Sequence, residues 1–394
     1  MGALKLEVAA SVSAIPARDW QACAGDANPT VHHDFFRALE ESGSASAETG
    51  WTPRHLVART AGGEIAGILP AYLKSHSFGE YVFDHSWADA FERAGGDYYP
   101  KLQIAVPFTP VPGPRLLLAD PQAGPALLDA AADAVEAAGL SSAHATFIAP
   151  GQVPVFEAAG WLIRTDQQFH WQNRGYRDFQ DFLDQLASRK RKAIRKERQT
   201  ALASGLEIRC LTGPELEEAH WDAMWRFYQH TGARKWGRPY LTRDAFARLA
   251  GTMADKVLLV LAFRAGKPVA GALNLIGQDT LYGRYWGATE HHDCLHFEVC
   301  YYQAIAWAID RGLARVEAGA QGEHKLARGY EPTTTFSAHW IRHPAFRRAV
   351  ANFLEQERRA VAAGMEYLGH FTPFRRGPLG GGSAGEGEDE GDHD

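Results

Sequence analysis

Residues 56–81 align without a gap on residues 260–285, an offset of 204 in a chain of 394 residues. Eight of the 26 positions are identical: Ala58/Ala262, Ala61/Ala265, Gly62/Gly266, Ala66/Ala270, Gly67/Gly271, Leu69/Leu273, Gly79/Gly283 and Tyr81/Tyr285. Ile65/Val269 and Phe78/Tyr282 are like for like. Each copy reads as a strand, a tight turn at the glycine, a second strand, a loop and a third strand. A solenoid repeats every 20 to 50 residues or so, so an offset of half the chain means two domains of one kind in tandem.

The flanks of each hairpin complete the pattern. After the first, the sequence predicts a helix over 124–138, a strand over 143–148, a helix over 153–159 and a strand over 161–171. Before the second, helices are predicted near 177–204, 214–231 and 242–251. After it come a helix over 295–311, a strand at 315–317, a loop through Gly329, a strand over 333–341 and a helix over 344–363. The expected fold is α/β (α+β): two tandem domains, each a mixed, mainly antiparallel sheet flanked by helices. Residues 1–172 would form the first, 173–374 the second, and 375–394 a disordered tail. The last eighteen residues, 377–394, carry six acids from Glu386 to Asp394 and no Lys or Arg, which accounts for the whole net charge of −6. The tail's lack of aromatics leaves nothing to offset the entropy of ordering. The remainder is neutral, which gives no general drive toward DNA.

This element order is that of the GNAT acyltransferase fold, and two copies in one chain resemble the Fem-type aminoacyltransferases. The likeness narrows at specific blocks. Asp84-His-Ser-Trp87-Ala-Asp-Ala-Phe91, Asp97-Tyr98-Tyr99-Pro-Lys-Leu102, Pro107-Phe-Thr-Pro110, Gly113-Pro-Arg-Leu116 and Phe169-His-Trp-Gln-Asn173 are similar to the FemAB-like N-acyltransferase family of bacteria. So are the basic run from Arg189 to Arg198, Tyr285-Trp286-Gly287, Phe297-Glu298, Cys300-Tyr-Tyr302 and the loop from Gly319 to Tyr330. The resemblance implies amide formation, with an acyl group moved from acyl-CoA to a primary amine. The preferred acceptor is a long-chain, sphingoid-type base giving a ceramide-like product. The alternative is transfer from aminoacyl-tRNA to a peptidoglycan precursor, and a further one is a non-catalytic scaffold that binds such ligands.

Direct acyl transfer needs a base for the amine, stabilisation of the carbonyl oxygen and a proton for the leaving group. His, Glu and Tyr gather after the second hairpin, in His291, His292, His296, Glu298, Cys300, Tyr301 and Tyr302. His296 or Glu298 is the expected base and a tyrosine, Tyr302, the proton donor. His292, His296 and Cys300 share a helical stripe of zinc-ligand types but have no fourth partner, so no metal is expected. A second cluster runs from Gln321 to Arg328. There Glu323 and His324 are candidate acid–base groups, and Lys325 and Arg328 candidate anchors for an anion.

The run 189–198 holds seven cations in ten residues. Its charges point all round a helix, so it is no amphipathic anchor. Such density suits phosphates, and Arg189, Arg191, Lys192 and Arg195 are expected to hold the CoA phosphates, with a tRNA backbone or anionic lipid as other takers. Many CoA-using GNAT domains carry a glycine-rich turn after the third strand, which 288–294 lacks. Trp87, Asp84, Tyr98, Tyr99 and Trp286 are expected to shape the substrate groove. Four cysteines without a C-x-x-C pair, no secretory leader pattern and no long apolar run point to the cytoplasm, with peripheral contact at the inner membrane.

Overall fold

The computed structural model describes residues 4–203, 205–235, 239–319 and 322–375. Residues 376–394, nearly all of the expected tail, lie outside them. In the first half the strands are β1 (Lys5–Ala9), β2 (Trp51–Pro53), β3 (His55–Arg59), β4 (Ile65–Leu69), β5 (Ala71–Lys74), β6 (Lys101–Ile104), β7 (Leu117–Leu118), β8 (Ser142–Ile148) and β9 (Leu162–Gln172). The second half adds β10 (Glu207–Thr212), β11 (Val257–Arg264), β12 (Lys267–Ile276), β13 (Thr280–Ala288), β14 (Arg315–Glu317) and β15 (Tyr330–Ile341). The chain is mixed α+β, with two GNAT-like halves whose mainly antiparallel sheets are flanked by helices.

The repeat is real in its first two strands. Hairpins β3–β4 and β11–β12 each carry a register shift at the same place, after Ala58 in one and after Ala262 in the other. The copies then part at one position of the repeat. Pro70 has no N–H to give a ladder, and β4 ends before it. The chain leaves a four-stranded sheet, ordered β1-β3-β4-β7, and resumes as β5 in a second sheet. The second copy has Asn274 there, and the strand runs on with only a bulge between Leu273 and Asn274.

The third strand corrects the sequence expectation. Residues 76–84, aligned on β13 through Gly79 and Tyr81, form no strand. The strand in the place of β13 is β6, which pairs antiparallel with β5 and parallel with β8, as β13 does with β12 and β14. An insertion that includes the helix His85–Arg93 separates β5 from β6.

The large sheet has eleven strands, ordered β10-β11-β12-β13-β14-β9-β15-β8-β6-β5-β2. The last strand of each half has crossed to the other: β9 pairs with β14, and β15 lies between β9 and β8. The β9–β15 register runs unbroken from Tyr330 opposite Trp171 to His339 opposite Leu162.

Close packing fixes the wall that carries the site. The helix Glu218–Lys235 lies so near β13 that a Cβ on Gly287 would come within 2.0 Å of the Phe227 carbonyl oxygen. Gly251, on the exposed side of the helix Arg243–Thr252, has nothing within 4 Å of such a Cβ. Gly287→Ala should therefore cost about 3 kcal/mol in denaturant unfolding, as overpacking against backbone does, while Gly251→Ala should gain about 0.5 kcal/mol.

Candidate active site at a strand wedge

Parallel strands β13 and β14 pair only at Thr280–Arg315, Leu281–Val316 and Tyr282–Glu317. Beyond Tyr282, β13 continues to Ala288 still paired with β12, but among the described residues no strand covers its β14 side, which opens a wedge in the sheet. The return from β13 to β14 is a helix that begins at Leu295, directly after Cys294 in the left-handed region at φ 61°. Its second turn, Glu298–Tyr302, is π-helical, and the α-helix resumes over Gln303–Asp310. A π turn carries one extra residue and re-aims the side chains around it, a feature frequent at functional sites.

Two cavities meet at this helix. The larger, about 490 Å³, is lined by the turn after β13 and the helix start, including Trp286, His292, His296 and Phe297. The smaller, about 80 Å³, sits in the wedge between Asn274, Gly283, Arg284, Tyr285, Ala318, Cys300 and Tyr301. Trp286 and His296 line both. The half-buried His296 ring stands edge-on to Trp286 at 5.2 Å and to Tyr301 at 5.3 Å. The Tyr301 hydroxyl is 2.8 Å from Nε2 of the exposed His324. Burial pushes the Tyr301 phenol well up, so it keeps its proton. Lys325 is buried, and its ammonium donates to the Gly319 carbonyl at 2.7 Å. Burial lowers its pKa to about 8.

The matching wedge of the first half is filled. After β6 the chain turns back into it: Gly113 donates to the Phe147 carbonyl at 3.0 Å. The buried Arg115 donates to the carbonyls of Thr146 at 2.7 Å and Val111 at 2.9 Å.

Other residues singled out in the sequence lie elsewhere. Glu298 is fully buried and lines neither cavity; Arg198 grips its carboxylate at 2.9–3.2 Å and Gln303 donates to it at 2.7 Å. Tyr302 donates to Glu197, which also takes Arg328 at 2.8 Å. The Arg328 guanidinium carbon sits over the Phe297 ring, 3.4 Å from its centroid. The side chain of Glu323 and all of Gln321 lie outside the described residues. On the basic helix, Ser188–Ala203, Arg191 pairs with Asp184 and Arg195 donates to Gln180, whereas Arg189 and Lys192 are exposed. None of these four borders either cavity.

Asp84, Trp87, Tyr98 and Tyr99 belong to a buried cluster of the first half. Lys101 reaches Asp84 at 2.5 Å and Glu80 at 2.8 Å, Tyr98 donates to Asp84 at 2.7 Å, and Tyr99 meets Ser77 at 2.8 Å. Trp87 stands edge-on to His339 at 4.9 Å. His292 faces Glu290 at 3.0 Å, and the described residues gather no group of three or more His, Cys, Asp or Glu able to hold a metal ion.

The sequence missed Glu317 and His170. Glu317 ends β14 at the apex of the wedge, and His170 of β9 lies opposite it, 3.8 Å away. Oε2 of Glu317, Nδ1 of His170 and Nε of Arg284 are all buried without a hydrogen-bond partner. Burial raises the Glu317 carboxyl to about 8 and lowers His170 to about 3. An acid at the end of a three-residue strand gives no signal until β14 is seen to part from β13.

A family model for peptidoglycan biosynthesis/recognition matches residues 11–376. The chain belongs to the FemAB-like family. No curated protein sequence matches it. Among solved structures, FemX superposes with a TM-score of 0.52 at 10% identity, covering 88% of this chain and 100% of its own. The C-terminal domain of a putative lysylphosphatidylglycerol synthetase from Agrobacterium fabrum reaches 0.53 at 10% identity, covering 86% and 96%. A conserved protein of unknown function from Bacteroides thetaiotaomicron reaches 0.50 at 12%, covering 86% and 100%. At such identities the likeness is one of fold.

Two outcomes follow for the residues around the wedge. Replacing Arg198 by Met strands the Glu298 charge in the interior, which should cost about 3 kcal/mol or more, and Arg198→Met with Glu298→Met together should recover most of it in a double-mutant cycle. Between about 4.5 and about 8, folded Glu317 holds a proton that the unfolded chain has released. Its contribution to stability therefore falls as pH rises through that window. Glu317→Gln should show a smaller drop in denaturation midpoint from about pH 5 to about pH 8 than the parent chain.

Proposed function

We propose that this chain is a transferase that moves an aminoacyl or acyl group from an activated ester onto a primary amine, with chemistry in the second-half wedge. The observation that carries the proposal is the meeting of the two cavities at His296, beside a β13 edge that no strand covers. An ammonium with a pKa near ~10 must lose its proton before it attacks. His296 can take that proton from an amine entering through the larger cavity. Tyr301, which keeps its proton and is backed by His324, can give one to the departing oxygen or sulfur. Backbone N–H groups of β13 beyond Tyr282 are suited to the carbonyl oxygen as it gains charge. Lys325, buried with its ammonium donating to the Gly319 carbonyl, lines neither cavity and takes no part in this reading.

Aminoacyl transfer is the donor chemistry favoured here. It is supported by the family's peptidoglycan description and by fold neighbours named FemX and a putative lysylphosphatidylglycerol synthetase. The acceptor is then an amine-bearing precursor of peptidoglycan or lipid, and the donor an aminoacyl-tRNA. Transfer from acyl-CoA to a sphingoid-type base, the first expectation from sequence, draws no support from these relatives.

The test is to incubate the purified chain with both donor types against a panel of amines and to identify amides by mass spectrometry. With the productive pair, His296→Ala and Tyr301→Phe should each lower kcat by about 10²-fold or more with KM little changed. Near-normal turnover in both variants would place the chemistry outside the wedge.

A further inference from the structure

The basic helix presents a different face from the one its sequence suggests. Its inward cations are consumed: Arg191 by Asp184 and Arg198 by Glu298, while Ile194 and Ala201 are buried beneath them. What remains outward is a row of cations. Arg189, Lys192 and Lys196 are exposed and Lys190 half-exposed, and none of the four has a partner among the described residues. At 1.5 Å per residue the row from Arg189 to Lys196 covers roughly 10 Å of this sixteen-residue helix.

Apolar groups stand at both ends of the helix. The chain after the last helix, Pro344–Gly369, is stapled to the start of the basic helix. Ala187 donates to the Pro373 carbonyl at 2.9 Å, Arg375 donates to the Gln185 carbonyl at 2.9 Å, and Leu186 bridges Phe374. That staple ties the segment just after Phe371 and Tyr367 to the residues just before the first cations; the two rings are 53% and 63% exposed, with centroids 4.9 Å apart. At the far end Leu202 is 45% exposed, next to an open groove walled by Phe179 and Leu183. Glu366 is exposed beside the aromatic pair and opposes an anion there, but the four cations outnumber it.

We propose that this face docks on an anionic phospholipid bilayer. Lys and Arg near such a surface are drawn to its phosphates, and aromatic rings settle at headgroup depth. An unpaired cation row flanked by exposed aromatics and a leucine supplies both terms without any spanning segment; none of the described helices is long and apolar enough to cross a membrane. RNA is the less suited partner, because the chain apart from its last eighteen residues is neutral overall and offers a short row of cations rather than a broad basic surface. The surface does not depend on which amine the enzyme acylates.

Co-sedimentation of the full chain with phosphatidylcholine vesicles, with and without phosphatidylglycerol, tests this. The chain should pellet with the anionic vesicles only, and added salt should release it. Lys192→Glu with Lys196→Glu should weaken partitioning at least about tenfold. Tyr367→Ser with Phe371→Ser should weaken it several-fold on the same vesicles while leaving the salt dependence in place. Circular dichroism melting of each pair shows whether the fold is kept; a pair that unfolds is replaced by Lys192→Ala with Lys196→Ala or by Tyr367→Ala with Phe371→Ala. Equal binding to neutral vesicles, no binding, or binding that survives the charge reversal would overturn the proposal. So would a tRNA that displaces the chain from anionic vesicles, since the face would then belong to RNA.

Discussion

Everything at the proposed centre depends on two neighbouring strands running the same way. Parallel strands cannot be joined by a tight turn, so the chain leaving β13 must cross over the sheet before it returns as β14. The crossover is the helix from Leu295, and its start therefore stands over the end of β13. β14 stops at Glu317 while β13 runs on to Ala288 against β12, so the two part there and leave one edge of β13 uncovered among the described residues. Backbone polar groups, a helix start and a cavity meet at one point as a result. The first half has the same parallel pair in β6 and β8, but its wedge is occupied by the chain around Gly113 and by Arg115. One topology thus yields an open site and a filled one, and the difference is a loop of about ten residues.

Inside the open wedge, charge is managed in two ways. Behind the helix, acids and bases cancel: Arg198 with Glu298, and Arg328 with Glu197. These pairs fix the helix against its neighbours and leave little to react. At the apex, Glu317 and His170 are buried with unpaired atoms and sit far from their ordinary pKa values. Buried polar atoms without partners are costly, and a fold tolerates them mostly where something else is meant to arrive.

Local features were legible in the sequence and distant ones were not. The hairpin repeat could be read because glycine turns and alternating strands are set by near neighbours, and the helix after β13 announced itself by its apolar spacing. His296, Trp286 and His324, which the structure gathers at the wedge, could be singled out because each sits in a cluster along the chain. Glu298 and Tyr302 cluster equally well, yet their partners Arg198 and Glu197 come from a helix about a hundred residues earlier, and no spacing rule reports that. Lys325 read as a loop cation but is buried against Gly319. The identities at Gly79 and Tyr81 suggested a third strand that the insertion before β6 displaces. The choice between Pro70 and Asn274 was visible as letters, and its effect on two sheets only as structure.

The exchange of β9 and β15 sets an order on how this protein can be made. β8 is complete early in synthesis, but the strand that covers its edge is residues 330–341. Until those residues leave the ribosome, the first half carries an open sheet edge, and β9 has neither of its final neighbours. An uncovered edge is a template for pairing with other chains. The nascent chain must therefore carry its first half unfinished through most of translation, so a slow or interrupted ribosome exposes this fold to aggregation more than it would a tandem pair whose domains close one after the other.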